Sequence, residues 1–86
     1  MMFRGEFHET FMKYYERIRE LREEKNLPMK AIAHELGISQ QTYNEYEKDY
    51  RSRIPVERLI LLAQFYDVSM DYISGVSNIR KSYPKE

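Results

Sequence analysis

MKAIAHELGISQQTYNEYEK, Met29 to Lys48, reads as two short helices joined by a tight turn. In the first half Met29, Ile32, Ala33 and Leu36 recur at i, i+3, i+4 and i+7, which places them on one helical face. Gly37 comes next. A glycine there is the usual left-handed end of a helix, because it has no Cβ to clash at positive φ. Ile38 can then drop into the core beneath the turn. Ser39 is a good N-cap for a second helix, since its hydroxyl accepts a first-turn backbone N–H. Along that helix Tyr43, Tyr46 and Tyr50 repeat at i, i+3 and i+7 and mark the inward face.

The opposite face carries the chemistry. At about 100° per residue Gln41, Asn44, Glu45 and Lys48 point away from the tyrosines, and Gln40 sits at the leading edge. This is the layout of a helix-turn-helix whose second helix enters the DNA major groove N-terminus first. Gln and Asn carry a donor beside an acceptor, so each can grip N6 and N7 of an adenine. Glu45 can accept from cytosine N4 but is repelled by phosphate, so it should filter bases more than add affinity. Ser39, Lys48, Arg51 and Arg53 are the expected phosphate contacts.

The blocks RIRELREEKNL (17–27), AIAHELGIS (31–39), YEKD (46–49) and LILLAQFYDVSMDYISG (59–75) stand in the order and register of a known family. From Tyr14 to Gly75 the chain resembles the lambda repressor and Cro-like helix-turn-helix domains, the XRE family. The resemblance implies an all-α, five-helix DNA-binding domain, here with an extended first helix. It also implies that the 49–55 loop runs beside the DNA backbone and that Glu47 braces this loop through backbone hydrogen bonds. The chain departs from the pattern at Pro28-Met29, where the family has Thr-Gln. The Thr caps the helix and the Gln reaches a phosphate, and neither role suits Pro or Met. A lost cap is worth about 1 kcal/mol. Tyr43 stands where the family prefers Ile or Val, yet its ring can still fill the core.

The chain has 86 residues, which suggests one domain, and 42% apolar content is enough for one core. It lacks cysteine, which excludes disulfides and thiolate metal sites and suits the cytoplasm. MMFRGEF does not read as a signal peptide, and no run approaches a membrane span. The 14 basic and 14 acidic side chains balance overall. They also balance within 1–27, 28–58 and 59–86 taken separately. A positive patch must therefore come from surface arrangement, and long-range steering to DNA should be weak.

Taken in order, residues 5–25 read as one long helix, with Phe7, Phe11, Tyr14, Ile18 and Leu21 as its apolar stripe. Its Glu, Arg and Lys read as a solvated face. Residues 1–13 form an extension that frays, lengthens this helix or docks a partner through Phe3, Phe7 and Phe11, ahead of the domain at 14–75. Pro28 opens the next helix. His34 reads as an exposed helix residue, and His34 with His8 makes no metal site. Pro55 closes the loop and starts a helix over 56–66, with Val56, Leu59, Ile60, Leu62, Ala63 and Tyr66 as core. Leu61 and Phe65 make that helix apolar nearly all round. Their cover is expected to be a second copy, or else the first helix or the N-terminal segment. Ser69 caps a last helix, MDYIS, sealed by Val68, Met70 and Ile73 and ended by Gly75. Residues 76–86 read as a mobile tail whose Arg80, Lys81 and Lys85 touch DNA or nothing.

Two functions follow. The first is a sequence-specific transcriptional regulator, expected to repress, acting on double-stranded DNA as a homodimer and needing no cofactor. The second keeps the fold as a protein-interaction module, antitoxin-like or regulator-binding, with weak or lost DNA binding. An enzyme has no support, because no nucleophile–base pair, carboxylate pair or phosphate loop is visible.

Overall fold

The computed structural model describes residues 13–48 and 53–81. Within them the chain is all-α, with five helices and no strand: α1 Tyr14–Glu24, α2 Met29–Leu36, α3 Gln40–Lys48, α4 Val56–Tyr66 and α5 Met70–Ile73.

Each helix starts and stops for a local reason. α1 opens at Tyr14, later than the continuous 5–25 helix expected. Lys13 has extended backbone (φ −76°, ψ 148°), and its N–H donates to the Glu16 carboxylate at 3.4 Å. Residues 1–12, with Phe3, Phe7, Phe11 and His8, lie outside the described residues. Pro28 precedes α2 in extended backbone and supplies no side-chain cap. Ser39 does cap α3: its Oγ accepts from the Thr42 N–H at 3.1 Å. Ser69 caps α5 in the same way, accepting from the Tyr72 N–H at 3.0 Å.

The four described stops share one device. Asn26, Gly37, Asp67 and Gly75 all take positive φ, at 55°, 70°, 57° and 92°. Each is followed by an apolar residue whose N–H reaches back five residues to a carbonyl. Leu27 bonds Arg22 at 3.1 Å, Ile38 bonds Ala33 at 3.0 Å, Val68 bonds Ala63 at 2.9 Å and Val76 bonds Asp71 at 3.1 Å. This closure satisfies carbonyls that a helix end otherwise leaves unpaired. It also tucks Leu27, Ile38 and Val68 against the core.

One core results. Ile18 and Leu21 of α1, Ile32 of α2, Tyr43 of α3, Leu62 of α4 and Ile73 of α5 are its most buried side chains. α2 packs on α3 and α4, α1 on α3 and α5, and α4 on α5.

Three expectations need correction. Val56 and Ile60 are not core; they are 58% and 39% exposed. Leu59, Leu62, Ala63 and Tyr66 take the inner face of α4, and Val56 and Ile60 fall beyond its edge. Arg17 is not part of a solvated face: it is 3% exposed. Its guanidinium donates to the Tyr72 carbonyl at 2.8 Å and stacks 3.9 Å from the Tyr72 ring centroid. Residues 76–81 are not a loose tail. The Ser69 N–H and hydroxyl donate to the carbonyls of Arg80 and Ile79 at 2.9 and 3.1 Å. Arg80 makes two 3.0 Å bonds to the Glu24 carboxylate and a third, 3.1 Å, to the Tyr72 hydroxyl. Those bonds hold the Glu24 carboxyl below its usual range and raise the guanidinium's.

A Cβ added at Gly37 meets nothing within 4 Å, so substitution there is penalised by backbone strain alone. Gly37→Val should lower stability by about 1–2 kcal/mol, while Gly37→Asn, which tolerates this region, should cost clearly less. Urea denaturation of both variants checks this.

Candidate nucleic-acid interface

α3 is fixed from behind before it offers anything outward. Its inner face consists of Tyr43, Tyr46 and Glu47, all buried. The Glu47 carboxylate, 2% exposed, receives two hydrogen bonds from Arg22 of α1: Nε to Oε2 at 2.8 Å and Nη2 to Oε1 at 3.0 Å. The third Arg22 nitrogen, Nη1, donates to the Leu27 carbonyl at 2.9 Å. Arg22 therefore ties the end of α1, the link to α2 and the last turn of α3 into one unit. The Glu47 hydrogen bonds raise its guanidinium's pKa. From the other side, Arg58 Nη1 of α4 donates to the Tyr46 hydroxyl at 2.6 Å.

The tyrosines near the ion pair carry a cost. Burial first, and then the neighbouring Glu47 carboxylate, pushes the Tyr43 and Tyr66 phenols above their ordinary value. Among the described residues the Tyr66 and Tyr14 hydroxyls find no hydrogen-bond partner, and the Tyr43 hydroxyl lies against the Glu47 carboxylate without a well-aligned bond. An unmet buried hydroxyl costs about 1–3 kcal/mol. The ring of Tyr43 does fill the core, at 0% exposure.

The outward face assembles much as its spacing predicts. Gln40, Gln41 and Lys48 are exposed, and Asn44 and Glu45 are half-buried on the same side. Lys48 Nζ lies 3.7 Å from Glu45 Oε2. Ser39, at the entrance, uses its hydroxyl locally: it accepts from the Thr42 N–H and donates to Thr42 Oγ1 at 2.9 Å. Arg53 is exposed at the far side of the loop. Arg51 and Tyr50 lie outside the described residues.

Sequence reasoning missed Arg22 and Arg58. Glu47 is expected to brace the loop, most of which lies outside the described residues, and its described side-chain partner is Arg22. The pair is separated by 25 positions, and α1's charges form a run in which no single arginine stands out. His34 is exposed, as expected. Among the described residues no group of His, Cys, Asp or Glu could hold a metal ion. No described helix is long and apolar enough to cross a membrane.

A family model described as Helix-turn-helix matches residues 18–73. The chain is similar to the uncharacterized HTH-type transcriptional regulator YobD of Bacillus subtilis (strain 168). The two are 38% identical over 65 residues, 76% of this chain and 57% of that protein. It is also similar to the HTH-type transcriptional regulator AnsR of the same organism, 36% identical over 70 residues, 81% of this chain and 60% of that protein. With the HTH-type transcriptional regulator PrpR of Mycobacterium tuberculosis it shares 39% identity over 64 residues, 74% of this chain and 13% of that protein. The chain thus spans little more than half the length of YobD and AnsR.

The buried ion pair should behave asymmetrically. Arg22→Met alone should destabilise the domain by about 3–5 kcal/mol by leaving Glu47 buried and unpaired, whereas Arg22→Met with Glu47→Leu should recover most of that loss. Chemical denaturation of the two variants measures the difference.

Proposed function

The chain belongs to the helix-turn-helix family, and from that premise we propose that it is a DNA-binding transcriptional regulator that reads base edges with α3. The supporting observation is the division of that helix. Tyr43, Tyr46 and Glu47 are consumed by the core, while Gln40, Gln41, Asn44 and Glu45 face the other way with no structural duty of comparable weight. Gln40, Gln41 and Asn44 supply paired donors and acceptors suited to adenine, and Glu45 accepts from an amino group. Lys48, Arg51 and Arg53 hold phosphates, with Ser39 contributing at the helix entrance. Binding that occludes a promoter makes repression the simplest outcome.

One copy reads only a few base pairs, so a two-fold dimer bound to half-sites roughly 34 Å apart completes the reading. The exposed apolar residues of α4, Leu61 at 45% and Phe65 at 40%, are the proposed contact, with Phe3, Phe7 and Phe11 as the alternative. A second reading, a protein-interaction module, is favoured by the charge balance, 14 against 14. Salt separates the two: affinity for DNA falls as counterions compete, and a protein-only module shows no such dependence on any duplex.

On a duplex selected from a random pool, Gln41→Ala and Asn44→Ala should each weaken binding by about 1–3 kcal/mol and leave the folded domain intact. Unchanged affinity in both would remove α3's outward face as the reading surface. Sedimentation should give a dimer for the parent and a monomer for Leu61→Glu/Phe65→Glu; a monomeric parent excludes the α4 contact.

A further inference from the structure

We propose that Lys48 acts with Glu45 as a base-dependent latch, so that the identity of one base decides whether one phosphate contact forms. This deepens the DNA-reading function above and rests on it.

α3 carries three charges, Glu45, Glu47 and Lys48. Glu47 is neutralised from within by Arg22 at 2.8 and 3.0 Å. The outward electrostatics of the helix therefore reduce to Glu45 and Lys48, 3.7 Å apart with side chains 43% and 59% exposed. The ammonium has two claimants, the Glu45 carboxylate and the phosphate of an approaching duplex. An exposed pair at this spacing opens at little cost. What the carboxylate meets in place of Lys48 then settles the competition.

The major groove offers Glu45 two kinds of surroundings. Cytosine N4 and adenine N6 donate, whereas guanine O6 and thymine O4 accept. An ionised carboxylate only accepts. Opposite an amino group, Glu45 binds the base and releases Lys48. With α3 entering N-terminus first, Lys48 lies one turn farther out than Glu45, towards the sugar-phosphate backbone. Freed there, it takes a phosphate, and both charges are satisfied. Opposite O6 or O4 the carboxylate is repelled by the base and retains Lys48, so the phosphate goes unmet. The same two residues thereby discriminate against a wrong base twice, once at the base and once at the backbone. This arrangement also keeps the reading face near neutral in the free protein, consistent with a chain whose overall charge is zero.

The test uses duplexes that the parent chain selects from a random pool, each varied to all four bases at every position. Affinity is measured across a salt series. At one position the parent should show a log–log salt slope steeper by about 0.9, one phosphate, with cytosine or adenine than with guanine or thymine. In Glu45→Gln the slopes should coincide at the steeper value, because Lys48 is always free. In Lys48→Met they should coincide at the shallower one, and Lys48→Arg should restore the dependence on base. Equal parent slopes for all four bases at every position, or a difference that survives Lys48→Met, would overturn the latch while leaving DNA reading intact. A parent that binds no duplex in a salt-dependent way would instead remove the underlying function and the latch together.

Discussion

The Arg22–Glu47 pair fixes the geometry on which the outward face relies. A carboxylate with 2% exposure is costly to bury unless its charge is met, and α1 meets it with two hydrogen bonds from one planar guanidinium. That contact sets both the rotation and the depth of α3 against the core. Rotation matters because Glu47, Tyr43 and Tyr46 lie on one face and can all be buried at only one angle. At that angle Gln40 and Gln41 are exposed, and Asn44 and Glu45 are half-buried on the same side. The outward face is thus specified indirectly, by burying the opposite side of the same helix.

Most of the described arginines are engaged within the fold. Arg17, Arg22, Arg58 and Arg80 each make a short hydrogen bond to a group on another part of the fold: the Tyr72 carbonyl, Glu47, the Tyr46 hydroxyl and Glu24. Arginine suits this work, because its fork places several donors in fixed directions and its plane stacks on rings. Tyr72 shows both uses, with the guanidinium carbons of Arg17 and Arg80 at 3.9 and 5.2 Å from its ring centroid. With so much positive charge spent on structure, the composition says little about the surface that DNA would meet.

What was legible in the sequence was local. Gly37 announced the turn, Ser39 the cap of α3, and the tyrosine repeat its inner face, because each depends on neighbours within a few residues. What stayed hidden was held by distant or backbone partners. Arg17 looked like one more charge on a solvated helix, since its acceptor, the Tyr72 carbonyl, lies 55 positions away. The segment 76–81 looked loose because part of its anchoring is through its own carbonyls and the rest through Arg80, whose carboxylate partner Glu24 lies 56 positions away. Val56 and Ile60 were assigned inward because α4 is apolar nearly all round, and such a helix gives no phase. On α3 the candidate reading residues were visible, but the Glu45–Lys48 contact depends on rotamers that spacing alone does not choose.

The strap formed by residues 76–81 separates two ideas that are easily equated. The recognisable motif ends at residue 73, and it begins at residue 18, one position after Arg17. Yet Arg17 and Arg80 both contact the Tyr72 ring, and Glu24 is joined to Arg80 across the surface. A fragment trimmed to the motif's borders would keep every feature by which the family is recognised and discard the clasp around α5. The stretch that carries the family's pattern is therefore shorter than the stretch whose side chains interlock around α5.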